Sequence, residues 1–155
     1  MYEIIVQRAV AAKSLPTTAK FKRWVTTVLK NKKPSAEVTI RIVDKNEMTE
    51  LNFTYRRKKK PTNVLSFPFD MPEECEETLP ILGDIVICAE VISEEALTQD
   101  KLLEAHWAHI VVHGTLHLLG YDHEKDVDAE IMEAEEIKIL TSLGFSNPYY
   151  VEGEK

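Results

Sequence analysis

From His113 to His123 the chain reads His-Gly-Thr-Leu-His-Leu-Leu-Gly-Tyr-Asp-His, and this stretch constrains the fold more than any other. His113 and His117 are four residues apart, the spacing that puts two side chains on one face of a helix, a turn from each other. Gly120 follows three residues later. Glycine enters the left-handed conformation at little cost, so the helix is expected to end there and the chain to turn back, carrying His123 toward the first pair. Three neutral imidazoles then converge on one cation. Three protein ligands with an open fourth position is how a catalytic zinc is held, whereas a structural zinc is closed by four. Neither cysteine, Cys75 or Cys88, lies near the stretch in sequence.

The spacing also matches the metzincin protease pattern, His-Glu-x-x-His-x-x-Gly-x-x-His, at every metal-binding position. It departs where proteolysis needs a general base. Those proteases carry Glu after the first histidine, and this chain has Gly114, which has no side chain to accept a proton. The pattern therefore points to a metal-dependent hydrolase and away from a peptidase. His109, four residues before His113, is the rival ligand. It cannot share one ion with both partners, since residues 109 and 117 are about 12 Å apart along a helix and zinc–nitrogen bonds are about 2.0–2.1 Å. A supporting or substrate-facing place suits His109 and His106 better.

Net charge of −7 argues at first against a nucleic-acid partner, but the two parts of the chain differ in sign. Residues 1–60 hold 15 Lys/Arg and 5 Asp/Glu (15 − 5 = +10), and residues 61–155 hold 4 and 21 (4 − 21 = −17). Such a split hints at a polyanion-binding face. The sequence has no apolar run near the roughly 20 residues that cross a membrane, and it starts Met-Tyr-Glu-Ile-Ile-Val without a basic leader. Two cysteines and no such leader lead us to expect free thiols and a cytoplasmic protein.

The pattern of elements predicts one α+β domain over residues 1–155, a small mixed four-stranded sheet with about five helices. Alternation marks strands at Tyr2–Arg8 and Val38–Val43, with shorter ones at Val64–Phe69 and Gly83–Ala89. The last is expected to be central, because Ile85, Val86 and Ile87 form a continuous apolar run. Helical periodicity follows Pro16 and Thr17 to about Asn31, with Phe21, Trp24, Val25, Val28 and Leu29 as its apolar stripe. Asp44 and Glu47 have capping-box spacing before a helix through Met48, Leu51 and Tyr55, which ends in Arg56-Arg57-Lys58-Lys59-Lys60 and is stopped by Pro61. An acidic loop runs from Asp70 to Pro80. Further helices are expected over about Glu90–Leu97, Asp100–Leu119 and Glu124–Leu143, the last with Val127, Ile131, Ala134, Ile137 and Leu140 inward and Gly144 as its cap.

The block His113–His123 resembles the signature of the YbeY family, bacterial metal-dependent endoribonucleases of rRNA maturation. A second block, Leu51-Asn52 through Tyr55-Arg56 to Thr62-Asn63-Val64-Leu65-Ser66-Phe67-Pro68, is similar to that family's other motif, and Leu82-Gly83-Asp84-Ile85 to its strand motif. The resemblance implies a zincin-like fold and one Zn2+ per chain on His113, His117 and His123. It also implies cleavage of single-stranded RNA, including the small-subunit rRNA 3′ end, with a part in ribosome quality control. By the same likeness Arg56 is the functional arginine that meets the RNA. The family usually has Gly after that arginine and an acidic residue two further on, where this chain has Arg57 and Lys59.

Arg56 suits that role on chemical grounds, since a guanidinium presents paired donors that match phosphate oxygens and stays charged. Asp122 is a candidate base, or a partner orienting a histidine. Arg57, Lys58, Lys60, Asn63, Ser66 and His109 are candidate substrate contacts. The expected partners are single-stranded rRNA and the ribosome or its small subunit, with neither membrane nor DNA. Two other functions fit the same residues: a metal-containing ribosome-binding assembly factor, and a metalloprotease-like hydrolase, which Gly114 disfavours.

Overall fold

The computed structural model describes residues 1–11, 14–69 and 80–149, so the acidic loop expected from Asp70 falls, apart from Pro80, outside the described residues. Among these residues are four strands, β1 (Tyr2–Arg8), β2 (Ala36–Val43), β3 (Val64–Pro68) and β4 (Ile81–Cys88), in one sheet of order β1-β2-β4-β3. Five helices accompany them: α1 (Thr18–Leu29), α2 (Lys45–Arg56), α3 (Ala89–Thr98), α4 (Leu103–Leu118) and α5 (Asp126–Ser142). β1, β2 and β4 run parallel, and β3 lies antiparallel to β4 at one edge. The expected α+β class, mixed sheet and five helices are all present.

Period-two alternation in β2 sends Val38, Ile40 and Ile42 into the main core, where Ile85 and Ile87 of β4 stand beside Ile40 and Ile42 in register. Val86 and Cys88 point the other way, into a smaller core with Val43, Met48 and Leu65. Burial on both faces is why β4 reads as an unbroken apolar run, and β4 is an interior strand as expected. The stripe on α1 is buried as its spacing predicts. Its Phe21 ring meets Trp24 and Trp107 edge-on, each at 5.7 Å, which ties α1 to α4. Such pairs contribute about 0.5–1.5 kcal/mol each beyond the area they bury.

Four expectations need correction. Asp44 caps α2 by accepting from the Glu47 amide at 2.8 Å, but the reciprocal half of the capping box is missing. Glu47 instead takes a forked pair from Arg41 at 2.8 and 3.2 Å, because the β2 guanidinium offers a charged partner. α2 ends before Pro61, at Arg56, where Arg57 adopts a left-handed φ of 59°. α4 starts at Leu103, since Asp100 (φ 53°) belongs to the turn after α3. On α5 the inward face carries Met132, Glu136, Ile139 and Leu140, while Val127 and Ile131 are exposed. A buried glutamate stands where apolar periodicity predicts none.

Candidate metal centre

α4 places His113 and His117 on the same side, one turn apart, as their spacing requires. The helix then stops in a Schellman turn: the Gly120 amide donates to His117 O at 3.0 Å and the Tyr121 amide to Leu116 O at 3.1 Å. Gly120 takes φ 99°, the conformation that glycine tolerates best. Tyr121 packs back against the main core, so the turn is anchored and the chain reverses toward the helix. His123 joins the other two, and one ligand atom from each lies within 4.8 Å of the others. His113 Nε2 and His117 Nε2 are 3.1 Å apart. Two nitrogens on one tetrahedral zinc, with bonds of about 2.0–2.1 Å, stand about 3.3 Å apart. The donor set and the spacing therefore fit such a cation.

Protonation favours it too. Burial, then the neighbouring His113 and His123, pull His117 down to about 4, so its ring is neutral and carries a free lone pair at neutral pH. His113 is oriented from behind by Glu136, whose Oε1 accepts from His113 Nδ1 at 2.5 Å, so that Nε2 faces His117. Glu136 is fully buried and is also bonded by His109 Nε2 at 3.3 Å and by the Tyr149 hydroxyl. Burial raises a carboxyl, but here the bonds from His109, His113 and Tyr149 outweigh it and bring Glu136 to about 2. Burial, then the same contact with Glu136, pushes the Tyr149 hydroxyl above its ordinary value, so it stays a donor. Sequence reasoning missed Glu136 and Tyr149. The available signal was an acid in phase with Met132 and Leu140 on α5.

The histidines open onto a cleft of about 580 Å³ whose other wall is β3 and the end of α2. Arg56, Asn63, Ser66 and Asp122 all line it. Ser66 Oγ donates to Gly114 O at 3.0 Å, and Asp122 Oδ1 accepts from its neighbour's amide, His123 N, at 2.7 Å. Arg57, Lys58 and Lys60 are exposed and stand off the cleft lining. Arg57 instead lies over the Phe53 ring at 6.0 Å, beside Lys59 at 5.1 Å. His109 is also off that lining, behind the trio against Glu136 and Tyr149, and His106 is buried.

Gly114 is glycine for reasons of space. A Cβ there would sit 2.9 Å from Ile85 Cγ2 and 3.3 Å from both Ser66 Oγ and Val64 Cγ2, where α4 rests on β3 and β4. The glutamate of the protease pattern has no room. Gly114→Glu is accordingly expected to destabilise by about 3 kcal/mol or more, as overpacking with an unpartnered buried charge. Thermal melting checks it, and the variant should show no gain of peptidase activity.

The family model for the YbeY endoribonuclease matches residues 7–144. The chain belongs to the YbeY endoribonuclease family. Among solved structures, the solution structure of TM1509 from Thermotoga maritima is similar over 100% of both chains, with 25% sequence identity and a TM-score of 0.62. The family match spans both walls of the cleft, from β3 and Arg56 to the histidines. As a member of an endoribonuclease family, the chain has RNA as its substrate class. None of its described helices is long and apolar enough to cross a membrane.

Proposed function

We propose that the chain is a zinc-dependent endoribonuclease specific for single strands, acting in the cytoplasm on the 3′ end of small-subunit rRNA and in ribosome quality control. One observation carries the reading: three imidazoles converge at one wall of a cleft, with an arginine at the other, and the residue that follows the first ligand in sequence is Gly114 where the protease pattern has its glutamate. His113, His117 and His123 hold the metal. A bound divalent cation supplies Lewis acidity toward a phosphoryl oxygen and makes water more acidic. Arg56 binds the phosphate by its paired donors and stabilises the charge that grows there. Glu136 keeps the His113 ring in one tautomer. Asp122, at the cleft and bonded to the turn that carries His123, either takes the proton or holds that turn. Ser66 lines the path of the strand.

Chelator-stripped protein should leave single-stranded RNA intact and recover cleavage when zinc is restored, while duplex RNA, DNA and casein stay uncut. Cleavage by the metal-free protein would refute the metal dependence. Because each imidazole must be unprotonated to bind, metal should be retained at neutral pH and released on acidification.

Arg57, Lys58 and Lys60 act at longer range, drawing the polyanion toward the cleft from the exposed end of α2. This exposed basic turn is also what favours the second reading, a ribosome-binding factor. Reversing charge at Lys58 and Lys60 is expected to weaken RNA binding and flatten its salt dependence, by about 0.7 of a unit of slope for each phosphate of the single strand no longer neutralised. Zinc content should not change, and a salt titration of affinity measures the effect.

A further inference from the structure

The cleft holds an acceptor whose polarity is set from behind. Asn63 lines the cleft, and its Nδ2 donates to both oxygens of Glu95 on α3, at 3.2 and 3.3 Å. A carboxylate only accepts, so the NH2 end must face Glu95, and the amide cannot be turned over. Glu95 is held in turn by His106 of α4, whose Nε2 donates to Oε1 at 2.9 Å. The His106 side chain is only 4% exposed, and burial lowers its pKa, so the ring is neutral with its proton on the nitrogen that faces Glu95. The Asn63 backbone is pinned as well, its carbonyl accepting from the Cys88 amide at 3.0 Å. The other end of the amide, Oδ1, has no donor from the chain among the described residues, and it belongs to a residue that lines the cleft.

We propose that Asn63 Oδ1 accepts the 2′-hydroxyl of the bound strand, making Asn63 the residue that distinguishes RNA from DNA, with Glu95 and His106 as its positioning residues. This rests on the endoribonuclease reading. Arg56 and the histidines address phosphate, which RNA and DNA share, so they give no discrimination by sugar. The 2′-hydroxyl is the donor that only RNA carries, and it hangs from the same ribose as the 3′ phosphate. A group that reads it must therefore share a cleft with the groups that bind phosphate, as Asn63 does. A fixed acceptor also loses its partner when the hydroxyl is missing, which is how a site rejects an analogue lacking a donor.

The test uses the zinc-loaded protein and short single strands, all ribose or with one 2′-deoxy residue moved along the chain. Binding is read by fluorescence anisotropy at constant salt before cleavage proceeds, and cleavage is followed separately. Wild type should bind the all-ribose strand about three- to ten-fold more tightly than the strand with deoxyribose at one particular position, the size of one hydrogen bond. Asn63→Ala should abolish that ratio while keeping zinc content and melting temperature. Glu95→Gln, which lets the Asn63 amide turn over, should reduce it. An Asn63→Ala protein that discriminates as well as wild type would overturn the proposal, as would a wild type indifferent to the deoxy residue at every position. Failure of wild type to cleave the all-ribose strand is a separate result, which strikes the endoribonuclease reading itself.

Discussion

His117→Ala is expected to abolish stoichiometric metal and to reduce RNA cleavage by on the order of 10³ or more, beyond the 10–100-fold loss typical when a group supporting a ligand is removed. His117 is the hinge of the trio. Its Nε2 stands 3.1 Å from His113 Nε2, and its backbone carbonyl accepts from Gly120, in the turn that leads to His123. Truncating the ring removes a donor atom and leaves two imidazoles, too few to hold a catalytic zinc. The side chain is only half-buried, so the metal-free variant should melt close to metal-free wild type. Elemental analysis and a single-strand cleavage assay measure both losses. Full cleavage by a protein without metal would show that the imidazoles act in some other way.

Glu136→Gln should weaken zinc binding by about 10–100-fold with little change in the size of the buried group. The carboxylate presents acceptors to three donors, His113 Nδ1, His109 Nε2 and the Tyr149 hydroxyl. A glutamine offers one oxygen and a donating amide, so at least one of those donors meets another donor. His113 can then turn or change tautomer, and its Nε2 lone pair no longer points at His117. Glu136→Ala goes further and leaves several donors without an acceptor. At about 1–3 kcal/mol for each buried group left unpaired, it should destabilise by about 3 kcal/mol or more. Competition with a chelating dye reads the first effect and thermal melting the second. Unchanged zinc affinity in Glu136→Gln would show that packing alone orients His113.

The centre was legible in sequence because its parts are local. Two histidines at helical spacing and a glycine three residues later specify a face, a stop and a reversal, and eleven residues suffice to bring His123 home. β4 was equally readable, since burial on both faces leaves its mark within one strand. What stayed hidden depends on partners far along the chain. Periodicity assigns an acid to the wet side of α5, and nothing near Glu136 in sequence announces that His113 lies opposite, 23 residues away. Met132 and Ile139 share the inward face with that buried carboxylate, while Val127 and Ile131 are exposed.

Gly114 lacks a side chain to act as a base, and the close approach of Ile85 and Val64 shows that even a Cβ there would force its neighbours to shift. Arg57 is a similar case. The helix ends on its left-handed turn, a position where glycine is normally favoured, in keeping with the glycine that the family likeness puts after Arg56.

Anomalous diffraction at the zinc absorption edge from metal-loaded crystals tests the central claim most directly. One peak is predicted about 2.0–2.1 Å from a nitrogen of each of His113, His117 and His123, with the remaining coordination position facing the Arg56 wall of the cleft and free of protein atoms. A peak held by only two of these histidines, or closed by a fourth protein side chain, would contradict it.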